Sequence, residues 1–82
     1  MIITMKSLSP AQQRLLNDMV GTTLRRTPQG WFAKSPKPHA NSTRQKLMEI
    51  GMLQNTSNGC DLELTSDAYD LATGVRETVG AA

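Results

Sequence analysis

The chain has 82 residues, of which 38% are hydrophobic and 20% charged, and a formal net charge of +2. That length sets a ceiling of one modest core, and that composition is too apolar for an intrinsically disordered chain. A lone cysteine, Cys60, excludes an internal disulfide and suits a reducing cytoplasm, and no run approaches the roughly 20 apolar residues of a membrane-spanning helix, so membrane insertion is not expected.

The stretch from Met1 to Lys6 is apolar but shorter than a signal-peptide core, with no basic leader before it. Residues 1–7 are expected to form a flexible end. A first helix should begin at Ser9-Pro10, because Ser is a favoured N-cap and Pro at the first helical position loses only an amide that would be unpaired anyway. Leu8 can pack back onto it. Gln12, Leu15, Leu16 and Met19 then share one face at helical spacing, and Gly21 ends the helix.

Two short extended runs, Thr22 to Arg26 and Trp31 to Lys34, flank Thr27-Pro28-Gln29-Gly30 and predict a β-hairpin. Adjacent strand residues face opposite ways, so one of Trp31 and Phe32 should enter the core, and the plain reading makes Trp31 a core filler. Ser35 to Ala40 carries two prolines in three residues and is expected to be an extended, partly mobile loop. The second helix is predicted over 42–50, with Ser42 and Gln45 in capping-box spacing and Gly51 as its stop. On it Thr43, Leu47 and Ile50 share the inner face, while Ser42, Gln45, Lys46 and Glu49 lie opposite.

Met52-Leu53 opens a strand, Asn55 to Gly59 makes a turn, and Cys60 to Leu64 alternates strictly, with Asn58-Gly59 as a strong hairpin signal. Cys60, Leu62 and Leu64 are expected to face inward, leaving Asp61 and Glu63 in water, so that Cys60 reads as a small buried hydrophobe. Thr65 should cap a last helix that buries Ala68, Leu71 and Ala72 and stops at Gly74, with residues 75–82 as a fraying tail. The whole chain, 1–82, is then a single domain of the α+β class, with three helices and two short β-hairpins.

Charge placement sharpens the functional reading. Arg25, Arg26, Lys34, Lys37, Arg44 and Lys46 occupy one stretch that holds no Asp or Glu, which gives it +6 and leaves −4 for the rest of the chain. Such polarity suits an anionic partner docking on one face, although a solvated basic loop would show the same pattern.

The order of features from Thr43 to Leu71 carries a resemblance. A helix containing Leu47, the turn Gly51-Met52-Leu53, a polar hairpin, and Leu64-Thr65 followed by Ala68 and Leu71 together resemble the C-terminal half of winged-helix DNA-binding domains of the MarR and PadR type. The resemblance implies a small winged-helix-like domain, in which the helix over 42–50 is the recognition helix and Asn55 to Gly59 the tip of the wing. Upstream, a hairpin and a proline loop stand where such domains carry another helix, so the chain looks like a minimal variant of the kind small bacterial and phage proteins have.

Taken together, these features predict a transcriptional regulator that contacts duplex DNA. The candidate contact residues are Arg25, Arg26, Lys34 and Lys37 for flanking phosphates, Asn41, Ser42, Thr43, Arg44, Gln45 and Lys46 at and along the helix, and Asn58 at the wing tip. Specific operator binding would favour a homodimer. The alternative is a phage-type protein–protein interaction module that docks on and modulates a larger complex, which Asp61, Glu63 and Glu49 near the same surface favour. Enzymatic chemistry is not expected. One histidine, His39, and one cysteine cannot furnish a zinc site, the six glycines form no phosphate-binding loop, and no cofactor or metal is predicted.

Overall fold

Ser9 and Pro10 start the first helix, α1 (Pro10–Asp18), in the computed structural model, which describes residues 2–57 and 59–80. The Ser9 hydroxyl accepts from the Gln12 amide at 3.3 Å, and the Gln12 side chain accepts from the Ser9 amide at 2.9 Å. This reciprocal capping satisfies two donors that the first turn would otherwise leave unpaired. Leu15, Leu16 and Met19 are buried along one face, and Leu8 is buried ahead of the cap.

The chain then runs through β2 (Arg25–Thr27) and β3 (Gly30–Phe32), α2 (Asn41–Glu49), β4 (Leu53–Asn55) and β5 (Leu62–Leu64), and α3 (Ser66–Thr73). Thr65 caps α3 by accepting from the Ala68 amide at 3.3 Å, and its hydroxyl also donates to the Gly51 carbonyl at 2.9 Å, tying the helix to the turn after α2. Gly74 closes α3 in the left-handed region at φ 79, as the predicted stop requires. The fold is α+β, with three helices and two short hairpins, and is compatible with a winged-helix arrangement.

One apolar core unites these elements. α1 packs against both α2 and α3, and Leu15, Leu16, Leu24, Leu47, Met52, Leu62, Ala68 and Leu71 meet between them. Leu24 joins the second hairpin directly: its amide donates to the Leu62 carbonyl at 2.8 Å, and the Leu62 amide donates back at 3.0 Å. Since Leu62 pairs with Asn55 on its other side, β5 is flanked by β4 and by the segment leaving α1.

Four features differ from the sequence reading. Ile2–Thr4 (β1) and Thr78–Gly80 (β6) pair antiparallel, where free ends were expected, and Ile3 is buried at 3% exposure as part of the core. α2 starts at Asn41 after Ala40, which offers no side-chain cap, so the predicted Ser42–Gln45 capping box does not form. Cys60 is exposed, because the β4–β5 ladder ends at the Asn55–Leu62 pair and Cys60 lies in the turn beyond it; strict alternation marked a longer strand than the ladder supports. The proline loop is anchored, as described below.

Gly30 lets that loop pass close to the hairpin. Its φ is +128, and a Cβ there would lie 3.2 Å from the Cβ of Pro38 and 3.6 Å from the His39 carbonyl oxygen. Gly30→Ala should cost about 1–3 kcal/mol through backbone strain and this contact, read as a lowered midpoint in urea unfolding.

Candidate nucleic-acid interface

The two-residue loop Pro28-Gln29 sets the hairpin register, pairing Thr27 with Gly30, Arg26 with Trp31 and Arg25 with Phe32. Directly opposed residues project from the same face, so Arg26 and Trp31 share one side of the ribbon and Arg25 and Phe32 the other. The Thr27 hydroxyl donates to the Gly30 carbonyl at 2.9 Å and accepts from the Gln29 amide at 3.2 Å, which stiffens the tip. Trp31 is half-buried at the edge of the core.

Trp31 also meets α2. Its indole Nε1 donates to Asn41 Oδ1 at 3.2 Å, and Arg44 Nε donates to the same oxygen at 3.0 Å. The Arg44 guanidinium carbon lies 5.2 Å from the Trp31 ring centroid, a cation–π arrangement, and Arg44 Nη1 reaches Met48 Sδ at 2.9 Å. The tip of the hairpin and the first turn of α2 thus enclose an open groove of about 650 Å³, walled by Arg26, residues 27–30, Trp31, Asn41 and Arg44. Because Ala40 supplies no cap, the first-turn amides of α2 have no side-chain acceptor, and such a helix end favours negative charge.

The loop from Ser35 to Ala40 is held from α1. Asp18 Oδ1 and Oδ2 accept from the Ser35 amide at 2.9 and 3.2 Å, and Oδ2 lies 2.8 Å from His39 Nε2. His39 is buried at 3% exposure, its amide donates to the Trp31 carbonyl at 2.6 Å, and Arg14 donates to the Pro38 carbonyl at 3.3 Å. His39 and Asp18 were not candidates in the sequence. The available signal was an aspartate in the last turn of a helix, where the dipole opposes it unless a partner compensates.

Asp18→Ala should cost about 1–3 kcal/mol, since it leaves a buried ring nitrogen and the Ser35 amide without their partner. Asp18→Asn, which keeps an acceptor and the shape, should cost less. Urea unfolding gives both values, and faster hydrogen exchange at Ser35 in the alanine variant would mark release of the loop.

The predicted contact residues are only partly brought together. Arg26, Asn41 and Arg44 converge on the groove, and Arg25 is exposed on the other side of the same ribbon. Lys34 reaches back past the end of α1, its Nζ lying 3.9 Å from a Cβ built at Gly21, and Lys37 is exposed on the anchored loop. Ser42, Gln45 and Lys46 are exposed on α2, Thr43 is half-buried, and Lys46 pairs with Glu49 at 3.7 Å. Asn58 lies outside the described residues. Trp31 was missed as a site residue, although the loop length alone sets it opposite Arg26.

Among the described residues, Arg25, Arg26, Lys34, Lys37 and Arg44 form no ion pair, whereas Arg76 is paired with both Asp67 and Asp70 at 3.6 Å. Glu63 on β5 is half-buried and accepts from Gln54 Nε2 at 3.1 Å. No group of three or more His, Cys, Asp or Glu side chains able to hold a metal occurs among the described residues, and no helix there is long and apolar enough to cross a membrane. No protein-family model matches the chain, and no curated protein or solved structure matches it either.

Proposed function

We propose that this protein binds nucleic acid, as a winged-helix-like transcriptional regulator that contacts duplex DNA through α2 and the basic segment 25–46. The observation that carries the reading is the state of that segment's cations. Five of its six basic side chains form no ion pair among the described residues, two of them flank a groove at the start of α2, and the loop bearing Lys37 is pinned in place by Asp18. Arg26 and Arg44, gathered on one groove without counter-charge, repel one another, and an external polyanion relieves that repulsion. Ser42, Gln45 and Lys46 on the exposed face of α2 are side-chain types that reach base edges or phosphates.

The test is anisotropy of a labelled mixed-sequence duplex titrated at 50 and 200 mM salt. If five cations each neutralise one phosphate, affinity should fall by roughly 500-fold between the two, from a slope of about −0.9 per contact. A second reading, a module that docks on a larger protein complex, is favoured by one specific observation, the exposed Glu49 that pairs with Lys46 at 3.7 Å on the outer face of α2. Under that reading the duplex does not bind at 50 mM salt, and association with the partner varies little with ionic strength.

A further inference from the structure

We infer that the groove between the β2–β3 tip and the first turn of α2 seats one phosphodiester of a nucleic-acid strand, which makes this hairpin a backbone-gripping arm separate from the wing. The inference rests on the nucleic-acid reading and adds to it a ligand position and a role for Trp31. Its basis is the set of donors that the groove presents. Asn41 Oδ1 accepts from both Trp31 Nε1 and Arg44 Nε, which fixes the orientation of the carboxamide and leaves its NH2 group with no hydrogen bond among the described residues. Arg44 uses Nε on Asn41 and Nη1 on Met48, so Nη2 remains for a ligand. Arg26, opposite Trp31 across the ribbon, contributes an unpaired guanidinium from the facing wall.

The Asn41 NH2, Arg44 Nη2 and Arg26 guanidinium are donors only, the Gln29 carboxamide on the hairpin tip can donate as well as accept, and no carboxylate lines the groove. That set matches a phosphate, whose oxygens accept only, and guanidinium forks are the side-chain groups that fit it in geometry as well as charge. Trp31 acts here as a positioning residue. Its ring supports the Arg44 plane, and its indole N–H orients Asn41, so little side-chain freedom is left to lose when the phosphate arrives. A groove of about 650 Å³ that is open at its mouth admits a backbone phosphate with its sugars while the strand continues on either side.

Trp31 is the only tryptophan and lines the groove, so its emission reports on occupancy. The experiment measures duplex affinity across a salt series for the wild type, Arg26→Gln and Lys6→Gln, and follows Trp31 emission during titration with unlabelled duplex and, separately, with inorganic phosphate. Lys6 lies on the turn after β1 and lines a different cavity, which makes it the control cation. The expected result is a saturable Trp31 change with duplex and a salt slope shallower by about 0.9 in Arg26→Gln only. Duplex binding by the wild type with the same slope in Arg26→Gln, or with equal loss in Lys6→Gln, overturns the seat and leaves the nucleic-acid reading standing. Absence of duplex binding by the wild type overturns both. A Trp31 response to inorganic phosphate matching that to duplex, with no change of slope in Arg26→Gln, makes the groove a free-anion site and overturns the strand assignment.

Discussion

Leu47→Ala should destabilise the protein by about 2–5 kcal/mol, the range seen when a fully enclosed leucine is cut back to alanine and the cavity only partly collapses. Leu47 has 0% exposure and is the one fully buried residue on α2; Thr43, Met48 and Ile50 are only half-buried. A domain of this length has a total stability of roughly 4–12 kcal/mol, so the loss removes a large share of it. The effect should reach the groove as well. α2 is held to the core through Leu47, and Asn41 and Arg44, which orient one another and Trp31, ride on its first turn. Urea unfolding monitored by Trp31 emission gives the stability loss, and a changed Trp31 spectrum before the transition would show that the groove loosens ahead of global unfolding. Leu47→Met, close in volume, should cost less than about 1.5 kcal/mol and leave that spectrum intact.

Much of the backbone plan was readable from local chemistry. Ser9-Pro10 with Gln12, Thr65 before Ala68, and the Pro28-Gln29 loop each satisfy a requirement that involves neighbours only three or four residues away, and each forms in the structure. Where reading failed, the deciding partner was distant or absent. Ser42-x-x-Gln45 has capping-box spacing, but Asn41 is already helical and Ala40 takes the cap position, so the pattern falls too far in, where the Gln45 amide already has a helical carbonyl to bond. Cys60 belongs to an alternating run, yet a strand lasts only as long as its ladder; the β4–β5 register stops at Asn55–Leu62, and the next backbone bond, from the Thr56 amide to the Asp61 carbonyl at 3.0 Å, already closes the turn that holds Cys60. The pairing of Ile2–Thr4 with Thr78–Gly80 joins opposite ends of the sequence, which periodicity within either stretch does not encode.

The candidate interface shows the same division. The concentration of cations in 25–46 is plain in the sequence, whereas their division into separate groups depends on tertiary contacts. Asp18 draws the proline loop onto α1 and carries Lys37 with it, Lys34 turns toward Gly21, and Arg26 and Arg44 are gathered on either side of Trp31. Residue type and order identified a basic surface; hairpin register and one carboxylate determined its shape.

Reversing two of those charges should sharply weaken any duplex binding. Arg25→Glu combined with Arg44→Glu replaces two cations on opposite sides of the same ribbon, one exposed and unpaired, the other stacked on Trp31. Each lost phosphate contact removes about 0.9 from the salt slope, and a charge-assisted hydrogen bond contributes about 1.5–3 kcal/mol, so duplex affinity at 50 mM salt should fall by at least about 100-fold and the slope by about 1.8. Repulsion between the new carboxylates and the strand adds to the loss. Arg44→Glu also ends the cation–π contact, so thermal unfolding must accompany the binding curve, and Arg25→Glu alone separates the two effects because Arg25 touches neither Trp31 nor Asn41 through any described hydrogen bond or ring contact. Arg25→Glu should retain the wild-type Tm and lose about tenfold in affinity if its side of the ribbon faces the strand. Duplex binding undiminished in the folded double variant would remove this surface from the function and shift the weight to the protein-docking reading, in which Glu49 and Glu63 face the partner.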